Sequence, residues 1–430
     1  MDEIQKQSGR AANDIPEIGT LAVIGLGYIG LPTAAMFAST GLTTIGIDVN
    51  RRAVDAVNGG KAHIEEGNLD ELVERCVQGG LLRAVAESVA ADAFIIAVPT
   101  PIDAAHQPDL SYVQAAGRSL APVLKKGDLI ILESTSPVGT TAMLAELLAN
   151  ERPDLRFPHD AAEDADISLA YCPERIIPGQ MLKELVENDR IIGGMTPRCA
   201  QRAANLYKRF VRGVCHLTTD RVAEMVKLTE NSYRDVNIAF ANELSMICQD
   251  QGVDVWKVIE FANRHPRVSI LSPGPGVGGH CIAVDPWFIV ASAPARAKLI
   301  RTAREVNDAK PDYVLGQIDA LLVHHPDWTV ACLGLTYKPD VDDFRESPSL
   351  EIATRLSHDY PGRVVCCDPF ADVLPQKEVG RRGIQFVGIE QAMNNADLIV
   401  MLVPHDAFHA FPLPQGKQLV DPTGFWNRTS

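Results

Sequence analysis

From Thr20 onward the chain alternates short runs of β-branched and aliphatic residues with longer stretches of helical periodicity. Residues 21–24, 43–47, 94–98 and 129–132 are short runs, rich in β-branched and aliphatic residues, and they read as buried strands. Such strands interleaved with helices predict a parallel sheet. From Pro197 to about Val323 the strand signal fades, and two helical tracts take over, 221–251 and roughly 293–323. Strands resume at 329–333, 363–367, 398–403 and 418–420. The pattern predicts an α/β protein: a polar tail at 1–19, a first α/β domain at 20–196, a helical middle section at 197–323 and a second α/β domain at 324–430.

The two α/β parts echo each other. Ala91-Asp92 to Val98-Pro99 and Ala396-Asp397 to Val403-Pro404 share the form A-D-x-x-x-x-x-V-P. Gly25-Leu26-Gly27 and Gly334-Leu335 follow the first strand of each part, and Asp48 and Asp368 follow the second. Two Rossmann-like domains are expected from this repetition.

Composition narrows the function. Of 430 residues, 46% are hydrophobic and 22% charged, the balance of a folded domain protein, and a formal charge of -15 disfavours a nucleic-acid partner. Apolar runs fall short of the ~20 residues a membrane span needs. The first nineteen residues lack an apolar targeting core, so a cytoplasmic location is expected. Nine cysteines without a C-x-x-C pair give no disulfide framework or zinc site. His405 and His409 lack the glutamate of the zinc-protease motif, so they are read as structural and no metal is expected.

The chemistry concentrates in five segments. Gly25-Leu26-Gly27-Tyr28-Ile29-Gly30 follows a strand and opens a helix, with Asp48 closing the next strand, which is the context of a dinucleotide fingerprint. Gly25 permits the tight turn, Gly27 lets a pyrophosphate approach backbone amides, and Gly30 lets the helix sit close to the sheet. The Asp48 carboxylate suits a ribose and repels a 2′-phosphate, favouring NAD over NADP. Gly274, Gly276, Gly278 and Gly279 crowd the loop before His280 and Cys281, so backbone amides there can wrap a ligand. If Cys281 begins a helical turn toward Asp285, amide dipoles lower its thiol pKa. Lys227 and Asn231, spaced i, i+4, share one helix face. Glu133-Ser134-Thr135-Ser136-Pro137 follows a strand at the end where open α/β sheets bind ligands, and Pro173-Glu174-Arg175 sits in a later loop.

Together these residues resemble the nucleotide-sugar 6-dehydrogenase family over nearly the whole chain from Thr20. The segments G-L-G-Y-I-G-L-P, E-S-T-S-P-V-G, C-P-E-R-I-I-P-G-Q, N-R-H-P-R-V and G-P-G-V-G-G-H-C-I-A-V-D-P-W-F carry the resemblance, with the long helix from Glu224 to Leu244. It implies an NAD-binding N-terminal domain, a UDP-sugar-binding C-terminal domain and a four-electron oxidation of a sugar C6 alcohol to a carboxylate. Cys281 would be the nucleophile, Lys227, Asn231 and Asp285 would polarise the reacting oxygen and organise water, and Glu174 and Thr135 would support them. The resemblance further implies cofactor contacts from Gly25, Gly27, Tyr28, Ile29, Gly30, Asp48, Thr100, Thr135 and Arg345. Substrate contacts are implied for Glu174, Arg175, Lys227, Asn231, Gly276, Gly278, Gly279 and Lys338, with Arg267 reaching across a homodimer. Where relatives acting on UDP-glucose or GDP-mannose commonly read C-x-x-K-D, this chain reads Cys281-Ile282-Ala283-Val284-Asp285. The continuation V-D-P-W-F resembles the branch acting on N-acetylated sugars, with UDP-N-acetyl-D-mannosamine the expected substrate and UDP-N-acetylglucosamine or UDP-glucose the alternatives. A single-step hydroxy-acid dehydrogenase shares the K-x-x-x-N helix but leaves Cys281 and the second α/β domain without a role. A nucleotide-sensing protein needs no nucleophile.

Overall fold

Alternate residues of the apolar strands feed two different cores, and this period of two builds the layers. Leu21 and Val23 of β1 (Thr20–Ile24) join one buried cluster, whereas Ala22 and Ile24 join the other. The computed structural model describes residues 17–64, 66–176, 180–279 and 281–426. The first sixteen residues of the expected tail, His280 and positions 177–179 of the C-P-E-R segment lie outside the described residues.

The unit spanning residues 1–229 is built on one sheet. After β1 come β2 (Thr43–Ile47), β3 (Leu82–Val85), β4 (Ala93–Ile96), β5 (Leu129–Leu132), β6 (Ser168–Tyr171), β7 (Arg190–Gly194) and β8 (Cys215–Thr219). They lie in the order β3-β2-β1-β4-β5-β6-β7-β8, parallel except where β6 meets β7. The order reverses beside β1, so the strand ends next to β1 and β4 form the crevice where open sheets bind ligands.

The sheet continues past the boundary expected at 196. The helix Pro197–Tyr207 joins β7 to β8, and the long helix begins only at Asp220. β8 reads Cys-His-Leu-Thr-Thr and is largely exposed at the sheet edge, so it carries no apolar run to betray it. β7 ends in Gly193-Gly194, where a Cβ would lie 2.5 Å from the Thr219 oxygen and 2.2 Å from the Ala200 nitrogen.

In the unit from residue 230, four parallel strands, β9 (Val330–Leu333), β10 (Val364–Cys367), β11 (Leu398–Met401) and β12 (Gln418–Val420), lie in the order β10-β9-β11-β12. The helices Lys298–His324 and Pro348–Asp359 supply Val314, Ile318, Leu350 and Leu356 to the core on one face. Ala392, Met393 and Phe425 fill the other. The helices Asp220–Asp250 and Lys298–His324 are braced by buried polar groups. Arg304 donates to Asp235 at 2.6 Å, and Asn307 donates to the same carboxylate at 2.8 Å while accepting from Asn242 at 2.9 Å. No helix among the described residues is long and apolar enough to cross a membrane, and no group of three His, Cys, Asp or Glu side chains there could hold a metal ion.

Candidate active site

The glycine turn after β1 has the shape that a dinucleotide requires. Gly25 adopts φ +90°, and a Cβ there would sit 2.4 Å from the Ala97 carbonyl. A Cβ on Gly30 would lie 1.8 Å from the Gly25 oxygen, so Gly30 is needed first by the turn itself and only then by the helix on the sheet. Gly27 is different, because its Cβ direction meets nothing within 4 Å. A side chain there would fold without conflict but would occupy the space over the amides that open the helix Gly30–Ser39, whose N-terminus receives no side-chain cap. Asp48 is half-buried, accepting the Leu26 N–H at 2.8 Å on one oxygen and the Asn50 N–H at 2.8 Å on the other. Each oxygen keeps a lone pair for a ribose hydroxyl. An open amide cradle with an adjacent carboxylate fits NAD. Tyr28 stands partly exposed beside the cradle, and the Thr100 hydroxyl donates to the Thr135 carbonyl at 2.6 Å, bringing these two expected residues together at the ends of β4 and β5.

Beneath those strand ends lies a buried polar cluster that the sequence motifs only partly indicated. Glu174 accepts Arg190 at 2.8 Å on one oxygen and the Arg175 N–H at 2.7 Å on the other. Arg190 lies 3.8 Å from Glu133, and its guanidinium covers the Tyr207 ring at 4.7 Å. The Tyr207 hydroxyl donates to Glu133 at 2.9 Å. Burial, reinforced by Glu174, pushes the Glu133 carboxyl up to about 8, and burial pushes the Cys172 thiol up to about 12. Arg190 and Tyr207 were missed from sequence. The available signal was a charge heading the apolar strand D-R-I-I-G-G.

The helix Asp220–Asp250 is fixed to the loop after β5 through Glu224, which accepts the Gly139 and Thr141 amides at 2.6 and 2.8 Å. One turn on, Lys227 is 9% exposed, and one turn further Asn231 is 7% exposed. The face predicted from their spacing is therefore buried.

In the second unit, Asn231 donates to Asp285 at 2.5 Å. Asp285 is buried at the start of the helix Asp285–Ser292, and its N–H donates to the Cys281 carbonyl at 2.8 Å. Cys281 thus opens a helical turn, as its spacing from Asp285 suggests, and that turn leads directly into the helix. It is exposed, whereas seven other cysteines are buried and Cys215 is intermediate. The glycine loop before it lies against the segment that follows β9. A Cβ on Gly278 would stand 2.5 Å from the Glu346 oxygen, and one on Gly279 3.0 Å from the Tyr337 ring. Lys338 and Arg345 belong to that same segment, Lys338 exposed and Arg345 forked on Asp343 at 2.9 and 2.6 Å. Arg267 stands apart on an exposed turn, its N–H on the His265 ring at 3.3 Å.

Comparison with known proteins covers almost the whole chain. Residues 19–211 match the NAD binding domain, 221–309 the central domain and 331–426 the UDP binding domain of the UDP-glucose/GDP-mannose dehydrogenase family. The chain is 55% identical over 410 residues to NDP-N-acetyl-D-galactosaminuronic acid dehydrogenase of Ralstonia nicotianae, covering 95% of this chain and 96% of that one. It is 54% identical over 417 residues to UDP-N-acetyl-D-mannosamine dehydrogenase of Escherichia coli K12, covering 95% and 99%. Among solved structures, the UDP-D-ManNAc dehydrogenase of Pyrococcus horikoshii superposes with a TM-score of 0.83 at 37% identity, covering 94% of this chain and 96% of that one.

Proposed function

The chain belongs to the UDP-glucose/GDP-mannose dehydrogenase family, and from that premise we propose that this NAD-dependent dehydrogenase oxidises the C6 alcohol of UDP-N-acetyl-D-mannosamine to the carboxylate through Cys281. NAD supplies the acceptor for two hydrides, so the alcohol, two NAD and one water give the carboxylate, two NADH and three protons. Cys281 adds through Sγ to the aldehyde carbon, forming a thiohemiacetal. Loss of the second hydride leaves a thioester, and water cleaves the C–S bond to return the thiol. Lys227, buried on the long helix, stabilises the negative oxygen at C6. The bond from Asn231 to Asp285 orients the Asn231 amide and leaves its oxygen as an acceptor. The observation that carries this reading is the exposed Cys281, one turn from the buried Asp285 that holds Asn231.

Two further parts of the reading concern specificity and assembly. Both names among the relatives above contain a 2-acetamido sugar, so the pocket is expected to demand that group. A site built to pair an amide rejects its absence by up to ~10⁴-fold. The helix Asp220–Asp250 carries the exposed Tyr233, Phe240 and Ile247 at a spacing of seven, a stripe that suits a homodimer. Location in the cytoplasm fits a substrate pool of nucleotide sugars.

The test is stoichiometry. Each UDP-N-acetyl-D-mannosamine should yield two NADH and one uronate with no free aldehyde, and Cys281→Ala should stop acid formation while retaining NAD binding. One NADH per sugar, or acid production by the alanine variant at the normal rate, overturns the covalent route. Comparable kcat/KM for UDP-glucose overturns the acetamido assignment, and faster turnover of UDP-N-acetyl-D-galactosamine replaces the sugar.

A further inference from the structure

His405 is fully buried at the end of the strand segment that repeats β4, and its ring has Thr336, Asp340 and Asp368 as polar partners. Its ring is committed on both nitrogens. The Asp340 N–H donates to Nδ1 at 3.0 Å, so Nδ1 carries the lone pair and Nε2 the proton. That proton faces the Thr336 hydroxyl at 3.1 Å and an Asp368 oxygen at 3.4 Å. The Thr336 hydroxyl in turn donates to the Lys338 carbonyl at 2.9 Å. One imidazole therefore grips the backbone on both sides of Lys338-Pro339, directly at Asp340 and through Thr336 at Lys338.

The gripped segment needs holding. Asp340 and Glu346 adopt φ of +57° and +49°, a left-handed conformation that persists in non-glycine residues only where the surroundings impose it. The same segment is the seat of the glycine loop leading to Cys281. A Cβ on Gly278 would meet Glu346, Pro348 and Tyr337 at 2.5, 2.8 and 2.9 Å, so the two backbones are already as close as glycine permits.

We propose that His405 is a positioning residue for the oxidation: its neutral imidazole fixes the Thr336–Glu346 segment, and through that segment the Lys338 side chain and the loop before Cys281. The inference rests on the function proposed above, but it can be tested apart from it. His405→Asn keeps an acceptor near Nδ1, His405→Gln keeps a donor near Nε2, and His405→Ala keeps neither. Three readouts should move together in the glutamine and alanine variants: KM for UDP-N-acetyl-D-mannosamine up by ~10-fold or more, faster hydrogen exchange at the Asp340 amide, and an altered rate of Cys281 alkylation by iodoacetamide. A misplacement near 1 Å can cost ~10²-fold in rate. KM for NAD should rise less than KM for the sugar, since the cradle lies in the other unit and Arg345 alone of the expected cofactor contacts belongs to this segment, and His405→Asn should keep exchange at Asp340 slow. The proposal is overturned if KM for NAD rises in step with that for the sugar, or if exchange at Asp340 is the same in all four proteins. If the wild type oxidises no UDP-sugar, the functional reading falls. Exchange at Asp340, alkylation of Cys281 and calorimetric binding of UDP then still decide the role of His405.

Discussion

The corners after β1 and after β9 are built alike and finished differently. Gly25 donates to Ile47 at 2.8 Å and Gly334 to Cys367 at 2.9 Å, both with positive φ. Leu26 donates to Asp48 at 2.8 Å and Leu335 to Asp368 at 2.6 Å. Beyond that point they part. In the first corner the helix begins at once at Gly30 over an open cradle, and Asp48 stays half-buried. In the second, the helix waits until Pro348, and His405 closes over a buried Asp368. His405 stands where the A-D-x-x-x-x-x-V-P repeat puts Thr100 in the first domain. The same turn thus leaves an open amide cradle in one domain and is closed over by a histidine in the other. Fold alone does not say which; the side chain that fills the corner does.

Substitutions at the glycines should break the likeness most severely. Gly30→Ala drives a methyl against the Gly25 carbonyl at 1.8 Å, so a loss of ~3 kcal/mol or more and no measurable NAD binding are expected. Gly27→Ala has open space and should leave stability within ~0.5 kcal/mol while raising the dissociation constant for NAD by ~10-fold, about 1.4 kcal/mol. Thermal unfolding and NAD titration would separate the two. A stable Gly30→Ala protein, or a Gly27→Ala protein with normal NAD affinity, contradicts the assignment of turn and cradle.

The two acidic residues should then respond in opposite ways. Asp368→Asn weakens a charged acceptor of the Leu335, Thr336 and Phe370 amides, for an expected cost of ~1.5–3 kcal/mol with NAD affinity unchanged. Asp48→Asn should cost under ~1 kcal/mol but narrow the preference for NAD over NADP by about tenfold, because it removes the charge that opposes a 2′-phosphate. Urea unfolding and kinetic constants for both cofactors check this. An Asp48 variant with an unchanged cofactor ratio shows that the carboxylate does not face the ribose.

What could be read from the sequence follows from how each residue is recognised. Continuous apolar strands such as Leu129–Leu132 and the repeated turn glycines announce themselves locally. β8 and Arg190 do not, because an exposed edge strand lacks an apolar run and a buried charge is recognisable only once its partners are assembled. The i, i+4 spacings of Cys281 with Asp285 and of Lys227 with Asn231 are visible in the sequence, but the bond joining Asn231 to Asp285 spans 54 positions and needs the fold. In the sequence His405 stands out only as half of a histidine pair. In the structure it is buried, while His409 lies outside on Phe425 at 4.7 Å.

Glu133 gives the first domain a pH dependence of its own. Its folded pKa, about 8, lies above the ordinary value of 4.5. The folded state therefore holds the proton over that window, and stability falls as pH rises through it, by at most ~1.4 kcal/mol per unit. Glu133→Gln keeps an acceptor for Tyr207 and cannot ionise, so its stability relative to the wild type should improve by about 1 kcal/mol between pH 7 and 8. Parallel pH profiles of the two proteins in urea unfolding would place Glu133 in a more solvated setting.

The smallest effects should fall where the two domains are most alike. Asp92 accepts the Thr20 N–H and hydroxyl at 2.9 Å each, and Asp397 accepts the same groups of Thr329 at 2.9 and 3.0 Å. Each carboxylate clips the residue that leads into the first strand of its sheet. Burial pushes the Asp92 carboxyl up, but hydrogen bonds from Lys125 and Thr20 outweigh it and hold it below the usual value; the Thr329 N–H does the same for Asp397. A lowered folded pKa means that the stabilisation is present above the unfolded value near 3.8 and disappears as pH falls through the lower folded one. Asp92→Ala and Asp397→Ala should each cost ~0.5–1.5 kcal/mol at pH 7, Asp92 slightly more because Lys125 also pairs with it at 3.0 Å. Both differences from the wild type should shrink together as pH drops below about 4. A cost confined to one domain, or one that persists unchanged in acid, would mean that the repeated aspartates share a sequence position without sharing a role.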